Sequence, residues 1–346
     1  MCDKMKEELK EAVLYEKLEN RNVKCNLCNR RCTIGIGRKG FCGVRENRDG
    51  TLYSLVYGKA VAWNIDSIEK KPFYHFFPGT NAFSIATVGC NFRCMWCQNW
   101  EISQPTEIFG QDLPPETIVK MTVDGKAQGI AYTYTEPTVF FEYAHDTAIL
   151  GRKKGLYNVF VTNGYMTPET INKMDFLDAS RIDLKAFDEK TYMKYIGGAH
   201  LEHVLNSIKL LHKKQHIEII NLVIPTINDS DDEIGALSEW VRDLDKEIPL
   251  HFTAYYPAHK FTIPPTPIET LERAQKIAKE VGLNYVYTGN IPGHPGENTY
   301  CPNCGEPLIQ RLGFFTVKNL IKDEKSPKCP SCGHKIKIVT KLDWMK

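Results

Sequence analysis

The cysteines constrain the fold of this chain more than any other feature, because eleven of the twelve fall into three groups. In chain order, the groups are Cys25, Cys28, Cys32 and Cys42; Cys90, Cys94 and Cys97; and Cys301, Cys304, Cys329 and Cys332. Only Cys2 stands apart, and we expect it to be a free thiol. In a reducing compartment, cysteines grouped at such short spacings indicate metal ligands or catalytic thiols.

The N-terminus and the hydropathy pattern both indicate a reducing compartment. Residues 1–18 are rich in Lys and Glu and lack the apolar core of a signal peptide. No apolar run approaches the roughly 18–20 residues that a membrane-spanning helix needs. We therefore expect a cytoplasmic protein that has no membrane partner and whose thiols do not pair as disulfides.

Charge divides the chain at the same places as the cysteines. Residues 1–52 carry 12 basic and 8 acidic side chains and residues 301–346 carry 9 and 4, so the segment between them is acidic. We predict an N-terminal four-cysteine metal-binding segment at 1–52 (the head), a large domain at 53–290 (the body) and a small metal-binding module at 291–346 (the tail). The net charge of +2 excludes a globally basic nucleic-acid binder.

The body alternates predicted strands with predicted helices. Six segments are short, rich in β-branched and aromatic residues and apolar on both faces, as buried parallel strands are. They are residues 82–88, 129–134, 157–162, 181–185, 217–224 and 250–255. The helical patterns that follow them are residues 115–127, 139–154, 168–176, 200–214, 231–246 and 267–281. Six β-α units in succession predict an α/β architecture with a parallel sheet, to which residues 284–288 add a further candidate strand.

Thiol and polar side chains follow the ends of these strands, where a parallel α/β sheet places its ligands. The three-cysteine loop, residues 90–97, follows the first predicted strand. Glu136 follows the second and Asn163 the third, while Asp183 and Lys185 end the fourth. We therefore expect one rim of the sheet to collect thiol, carboxylate, amide and ammonium groups.

The spacing Cys90-x3-Cys94-x2-Cys97 favours an iron–sulfur cluster. Three thiolates can bind three corners of a cubane and leave the fourth iron open, which suits a catalytic site and not a closed structural one. The alternatives are a zinc site completed by a distant histidine, and a disulfide with a spare thiol.

The three-cysteine loop, with Trp96 directly before its last cysteine, resembles the signature of the radical S-adenosylmethionine (SAM) superfamily. Further segments resemble one subgroup, the radical enzyme of the AmmeMemoRadiSam system, a relative of pyruvate formate-lyase activating enzyme. They are Glu69 to His75, Tyr132 to Thr138, Val161 to Tyr165, Ile182 to Phe187 and Tyr287 to Asn290. With the Cys-rich head and tail, the resemblance covers nearly the whole chain. It implies a partial (β/α)6 TIM-like barrel with a Cys-rich N-terminal module and a zinc-ribbon or rubredoxin-like C-terminal module.

The resemblance also implies cofactors. Cys90, Cys94 and Cys97 would ligate a [4Fe-4S] cluster whose open iron binds the amino and carboxylate groups of SAM. One electron would cleave SAM to methionine and a 5′-deoxyadenosyl radical, which abstracts a hydrogen atom from substrate. The implied partners are a low-potential electron donor of ferredoxin or flavodoxin type and an unidentified small-molecule or protein substrate. The Memo-like and AMMECR-like proteins of the same system are further candidate partners.

The family roles carry over to five residues of the rim. Trp96 would lie by the adenine of SAM. Glu136 matches the last residue of the family's Gly-Gly-Glu strand, which meets the methionine amino group, although both glycines are absent here. Asn163, Asp183 and Lys185 match polar positions that face cofactor or substrate. The alternative for Asp183 and Lys185 is a mutual ion pair at a strand end.

The tail contains two matched Cys-x2-Cys turns that indicate a tetrahedral S4 metal site. Its four ligands would be Cys301, Cys304, Cys329 and Cys332. Zinc is favoured, with iron as the alternative because Cys-Pro-x-Cys-Gly also resembles rubredoxin. A segment this short has little core of its own, so we expect the metal to stabilise it.

The head carries a less regular set, Cys25-x2-Cys28-x3-Cys32-x9-Cys42. Four thiolates suffice for zinc or for a fully ligated iron–sulfur cluster, and the spacing does not separate the two. A cluster there could relay electrons, whereas zinc would only stabilise the fold. We expect the basic residues around this set to form a solvated face.

Three functions are consistent with these patterns. The first is a radical SAM enzyme that acts on an unidentified substrate, and the second is an activase that acts on a backbone glycine of a glycyl-radical enzyme. The third, from a different class, is a non-catalytic zinc-ribbon adaptor or nucleic-acid module that uses the basic head and tail. The small charge excess and the lack of an aromatic-interleaved basic stripe argue against nucleic acid.

Overall fold

The computed structural model describes residues 9–321 and 325–345, so the predicted free thiol Cys2 lies outside the described residues. Its centre is an eight-stranded sheet in the body. The strands are β1 (Ala62–Ser67), β2 (Asn81–Ala86), β3 (Gly129–Tyr132), β4 (Tyr157–Thr162), β5 (Ala179–Asp183), β6 (His216–Val223), β7 (Leu250–Ala254) and β8 (Val286–Gly289). They lie side by side in chain order, and all neighbours are parallel except the antiparallel pair β1 and β2.

Helices connect the parallel strands. They are α1 (Trp100–Ser103), α2 (Pro115–Asp124), α3 (Phe141–Arg152), α4 (Pro168–Ile171), α5 (Glu189–Tyr195), α6 (Leu201–His212), α7 (Asp231–Asp245) and α8 (Ile268–Val281). Side-chain caps start several of them; the Ser230 hydroxyl, for example, accepts from the Glu233 amide at the start of α7. Helix α8 ends at Gly282, whose φ of +108° closes the last turn in the left-handed conformation.

The α/β class and the parallel sheet are confirmed, and so is the seventh parallel strand, β8. Strands such as β4 and β7 are buried along their whole length because helices cover one face and the barrel interior the other. The helix predicted at 168–176 is wrong in extent, since α4 ends at Ile171. The sequence pattern does not predict the edge strand β1 or helix α5, because neither has a sustained apolar periodicity.

The head folds as small antiparallel sheets against the body. The strand Val23–Cys25 lies between Tyr15–Lys17 and Thr33–Ile34, and Thr51–Ser54 lies between Lys10–Glu11 and Arg45–Arg48. Strand Lys59–Ala60 pairs with Gln111–Asp112. A buried ion pair fixes the head to α3: the Arg45 guanidinium donates to both Glu142 carboxylate oxygens, at 2.7 and 3.0 Å.

The tail forms a three-stranded antiparallel sheet, Thr299–Tyr300, Pro307–Leu312 and Phe315–Asn319. Its apolar side shares a core with Tyr74, Tyr285 and Tyr287 of the body. His75 joins the two parts: Nδ1 donates to the Lys337 carbonyl at 2.7 Å and Nε2 accepts from the Tyr287 hydroxyl at 2.5 Å. Among the described helices, none has the length and apolarity needed to cross a membrane.

Candidate active site

One cavity of about 390 Å³ opens at the carboxyl ends of the parallel strands. It lies inside the curve of the sheet, where the loops after β2 to β5 converge. All eight residues that the sequence assigns to the rim line it: Cys90, Cys94, Trp96, Cys97, Glu136, Asn163, Asp183 and Lys185. The tertiary structure thus brings together side chains that lie up to 95 positions apart in the chain.

The backbone at the end of α5 holds the three-cysteine loop in place. The amides of Arg93 and Met95 donate to the carbonyls of Ile196 and Tyr195, at the end of α5. Burial raises the pKa of the Cys90 thiol, and it raises that of Cys94 to about 12 although Lys185 opposes the shift. Thiols in such a position become thiolates when a metal binds them, because the metal charge replaces the lost solvation.

The loop fits the ligand set of an iron–sulfur cluster better than that of a single ion. Four sulfurs around one zinc, each about 2.3 Å from it, lie about 3.8 Å from one another. The sulfurs of Cys90, Cys94 and Cys97 do not all lie within 4.8 Å of one another. A wider spacing is expected when each sulfur binds a different iron of a cubane. The three cysteines line the cavity, so a cluster bound by them would leave its remaining iron accessible to a ligand there.

Glu136 and Asn163 form a hydrogen-bonded unit beside Cys90. The Glu136 carboxylate accepts from the Asn163 amide at 2.8 Å and from the Thr162 hydroxyl at 2.7 Å. Burial raises the pKa of Glu136, and these hydrogen bonds oppose the shift. The Asn163 side chain points its amide nitrogen at Asn91 Oδ1, 2.7 Å away, and lies 3.8 Å from Cys90 Sγ. Glu136 is therefore a fixed carboxylate at the wall of the cavity.

Asp183 and Lys185 are an ion pair inside the cavity. Lys185 Nζ lies 3.1 Å from Asp183 Oδ2, and Arg181 donates to the other carboxylate oxygen. Burial favours the neutral acid, but Arg181 and Lys185 together hold the pKa of Asp183 below its usual value. The same contact outweighs burial at Lys185 and raises the pKa of that ammonium. Both groups stay charged near neutral pH, so the site offers one anion between two cations.

Trp96 is buried in the wall of the cavity. Its ring contacts Phe261 edge-on, with centroids 5.2 Å apart, and lies 6.2 Å from the ring of Tyr195. The residue is only 3% exposed, so most of the indole packs on protein. Trp96 therefore forms part of the wall, and residues 96–99 all line the cavity.

A second charged pair, which sequence reasoning does not assign, lies at the same cavity. Asp66, on the edge strand β1, accepts from Lys71 Nζ at 2.6 Å and from the Tyr134 hydroxyl at 2.7 Å, and both of these partners line the cavity. Burial lowers the pKa of Lys71 to about 8, although Asp66 favours its ammonium form. Lys71 and Tyr134 both lie in segments that carry the family resemblance, so the sequence could have indicated these two residues. Asp66 lies outside those segments, and no sequence pattern points to it.

Tyr134 also bears on the missing glycines. Its φ is +64°, the left-handed region that glycine adopts most readily. It stands two residues before Glu136, where the family's strand has glycine. This chain thus places a tyrosine in the left-handed conformation, and the tyrosine is held by its partners. Its hydroxyl donates to Asp66, and Asn99 Nδ2 donates to its carbonyl at 2.7 Å.

The tail contributes Phe314 to the mouth of the same cavity. Phe314 lies at the turn between the strands Pro307–Leu312 and Phe315–Asn319. Around it, Leu312, Phe315 and Val317 are 61%, 71% and 61% exposed. Sequence reasoning does not find this contact, because it depends on how the tail docks on the body.

The four tail cysteines come together as predicted for a tetrahedral site. Sγ atoms of Cys301 and Cys332 lie 3.7 Å apart, as do those of Cys304 and Cys329. All four lie within 4.8 Å of one another, which matches the spacing of about 3.8 Å around a single metal ion. The tail site can therefore bind one metal ion.

The head cysteines Cys25, Cys28, Cys32 and Cys42 line one small cavity. The basic residues near them form a solvated face only in part: Arg38 and Lys39 are exposed as expected, whereas Arg30 and Arg45 are held by protein groups, which corrects the expectation for those two. Arg30 donates to the carbonyls of Asn91 and Gly198, at 3.0 and 2.7 Å, Arg45 binds Glu142, and Arg31 pairs with Glu169.

Comparison with known proteins agrees with this geometry. The family model of the radical SAM superfamily matches residues 84–241. An uncharacterised protein of Methanocaldococcus jannaschii is 47% identical over 336 residues, 96% of this chain and all of that protein. The pyruvate formate-lyase 1-activating enzyme of Escherichia coli K12 is 22% identical over 218 residues, 58% of this chain and 89% of that enzyme. The crystal structure of Streptococcus suis SuiB bound to S-adenosylmethionine shares the fold, with a TM-score of 0.50 at 13% identity over 64% of this chain and 53% of that one.

The match begins within β2 and runs into α7, so it contains the three-cysteine loop and the rim residues Glu136, Asn163, Asp183 and Lys185. The superfamily implies a [4Fe-4S] cluster and SAM, and the thiol spacing fits the cluster. The AmmeMemoRadiSam subgroup stays a prediction. Sequence similarity, parallel sheet and thiol geometry agree, and we conclude that this chain belongs to the radical SAM superfamily and is homologous to the pyruvate formate-lyase activating enzymes.

Proposed function

We propose that this protein cleaves SAM reductively at a [4Fe-4S] cluster held by Cys90, Cys94 and Cys97, and that the 5′-deoxyadenosyl radical abstracts a hydrogen atom from substrate. The observation that carries the proposal is the cavity in which three thiols meet a charged pair and a fixed carboxylate. When bound, the cluster supplies the electron that breaks the sulfonium bond.

The charges of the cavity suit SAM, which carries a carboxylate, an ammonium and a sulfonium. Lys185 is held in its charged form next to the thiols, where it can pair with the carboxylate of the ligand. Asp183 and Glu136 can receive the ammonium group, and the hydrogen bonds that fix Glu136 orient it before the ligand binds. Asn163 holds the Asn91 side chain next to Cys90, and this contact helps to position the Cys90 thiol.

The proposal is tested by anaerobic reconstitution with iron and sulfide, followed by a strong reductant and SAM. We expect release of 5′-deoxyadenosine by the wild type and none by Cys94→Ala. The matched control is Cys304→Ser, which removes one ligand of the separate tail site and should keep the release. If the wild type carries its iron but releases no 5′-deoxyadenosine, the proposal is wrong.

Roles of the charged pair are tested separately from cluster assembly. We expect Asp183→Asn and Lys185→Met to bind the same amount of iron as the wild type and to raise the KM for SAM. A change of Asp112→Asn, on an exposed strand outside the cavity, is the control. Unchanged KM values in both rim variants would contradict their assignment to SAM binding.

An activase that forms a glycyl radical on a partner protein is a second candidate. One relative is named pyruvate formate-lyase 1-activating enzyme, and the hairpin of the tail supports a large substrate. Phe314 reaches the cavity mouth while Leu312, Phe315 and Val317 leave an apolar surface next to it. A protein loop could contact this surface while its glycine enters the cavity.

Deuterium transfer separates the two candidates. Extract from cells grown in deuterated medium is dialysed, and each fraction is incubated with the reduced enzyme and SAM. Deuterium in 5′-deoxyadenosine from the retained fraction supports a protein substrate, and Phe315→Ser should then lower the transfer while Ile149→Ser, exposed on α3, should not. Deuterium from the dialysate alone supports a small molecule and contradicts the activase.

A further inference from the structure

We propose that the head holds a second [4Fe-4S] cluster, bound by Cys25, Cys28, Cys32 and Cys42, and not a zinc ion. The first observation is the spacing of the thiols. Among residues 9–321 and 325–345, only the tail has three or more ligand atoms of His, Cys, Asp or Glu that all lie within 4.8 Å of one another. Neither the head cysteines nor the three-cysteine loop brings three sulfurs that close together, unlike the tail, where sulfurs lie 3.7 Å apart.

The second observation is the space between these thiols. The head cysteines line a cavity of about 20 Å³, together with apolar side chains such as Leu27, Ile34 and Val139. A cavity of roughly 10–15 Å³ already admits a water-sized sphere. Four sulfurs bound to one ion at about 2.3 Å leave room for that ion and nothing else. The water-sized space at the head cysteines therefore indicates that the four sulfurs do not close on a single point, as they would around one ion.

The third observation is a pair of buried donors that have no acceptor within the described part of the chain. Arg45 lines the cavity and is only 2% exposed, and its Nε makes no hydrogen bond, although both terminal nitrogens do. One terminal nitrogen of Arg30, which also lines the cavity, is likewise buried and unpaired. A buried N–H without a partner is costly. Sulfides and thiolates of an anionic cluster would supply the missing acceptors for both.

The head site lies directly behind the three-cysteine loop. Arg30 Nε donates to the carbonyl of Asn91 at 3.0 Å, and Asn91 follows the cluster ligand Cys90. Gly89, which precedes Cys90, has no room for a Cβ because Val44 and the Cys42 carbonyl would lie 2.5 and 2.9 Å from it. One layer of residues therefore separates the two sites. An electron from a ferredoxin- or flavodoxin-type donor could pass through the head cluster to the cluster at the three-cysteine loop. The head cluster would gain one electron from the donor and then lose it to the other cluster. This relay role rests on the proposed function.

Acid-labile sulfide decides the identity of the head site, because zinc sites and mononuclear iron sites contain none. The test protein is the full chain with Cys90→Ala, Cys94→Ala and Cys97→Ala, reconstituted anaerobically and desalted. We expect about four irons and four sulfides per chain to remain, and a reduced-cluster EPR signal after reduction. Adding Cys28→Ser and Cys32→Ser should remove them. The metal of the tail and the circular dichroism spectrum report whether each variant is folded.

No sulfide in the folded triple variant, with zinc in its place, would overturn the proposal. This result does not depend on SAM cleavage, so it is distinct from a failure of the proposed function. The relay is tested by the rate of 5′-deoxyadenosine release with a flavodoxin donor, divided by the rate with a small chemical reductant. We expect this ratio to fall at least tenfold when Cys28→Ser and Cys32→Ser are introduced into the wild type. An unchanged ratio would refute the relay.

Discussion

Replacing Gly89 with alanine tests how closely the head and the three-cysteine loop are packed. Gly89 follows β2 and directly precedes Cys90, and its amide donates to the Ile102 carbonyl at 2.9 Å. Its φ is +99°, which L residues rarely adopt. A Cβ there would lie 2.5 Å from Val44 Cγ1 and 2.9 Å from the Cys42 carbonyl oxygen. The second contact is with backbone, which cannot rotate away.

Two energetic costs add in Gly89→Ala, one from the backbone conformation and one from packing. A side chain at a left-handed position costs roughly 1–2 kcal/mol, and overpacking a filled site costs roughly 1–3 kcal/mol. We therefore expect Gly89→Ala to lower the free energy of unfolding by about 2–5 kcal/mol. Because the loop that carries Cys90 must shift, we also expect the rate of 5′-deoxyadenosine release to fall by up to about 100-fold.

Gly155→Ala separates the two terms. Gly155 has a φ of +77°, but its Cβ would meet no atom within 4 Å, so only the cost of roughly 1–2 kcal/mol applies. The assay is equilibrium urea unfolding of both variants in the same metal-loaded state, with release of 5′-deoxyadenosine measured alongside. If Gly89→Ala loses no more stability than Gly155→Ala, or leaves the release unchanged, the packing argument is wrong.

Buried groups and the tail give three further predictions. Burial lowers the pKa of His75 to about 3, so between about pH 6.5 and pH 3 this histidine is protonated only in the unfolded chain. The free energy of unfolding should therefore fall by up to about 1.4 kcal/mol for each pH unit as the pH drops through this range. The slope should be smaller in His75→Asn. Glu142→Ala leaves Arg45 buried and unpaired, so it should lower the free energy of unfolding in urea by about 3–5 kcal/mol. Asp124→Ala, whose partner Lys120 is exposed, should cost at most about 1 kcal/mol. Equal losses would show that the Arg45–Glu142 pair does not stabilise the fold. Cys304→Ser should release one metal ion per chain by elemental analysis and lower the melting temperature, and full retention would exclude the S4 site.

Much of the fold was predictable because the body is built from strands that are buried on both faces. A strand such as β4, Tyr157–Thr162, is largely apolar and is bounded by Gly155 and Gly164, so its position follows from local composition. The edge strand β1, Ala62–Ser67, pairs on one side only and alternates exposed with buried residues in an irregular way. Its place in the sheet is decided by pairing with β2, which no local pattern encodes.

The residues of the candidate site also divide into those that local sequence patterns predict and those that only the folded chain brings to the cavity. Glu136, Asn163, Asp183 and Lys185 directly follow or end predicted strands, so the parallel topology alone brings them to one rim. Asp66 precedes every predicted strand, and it reaches its partners at the cavity only because β1 pairs antiparallel with β2. Phe314 comes from another module, and its contact depends on how the tail docks.

The sequence by itself determined the α/β fold class and the grouping of eleven cysteines, because spacing and periodicity are local properties of the chain. The superfamily came from the resemblance of the three-cysteine loop to a known signature. The tertiary structure alone decided how close together the thiols of each group lie. The spacing in the chain left zinc and iron–sulfur equally open for the head. The folded head spreads its four thiols around a cavity, whereas the tail brings its four to 3.7 Å contacts. The physical reason is that a metal centre is selected by distances in space between sulfur atoms, and those distances are set by how the turns pack on the body.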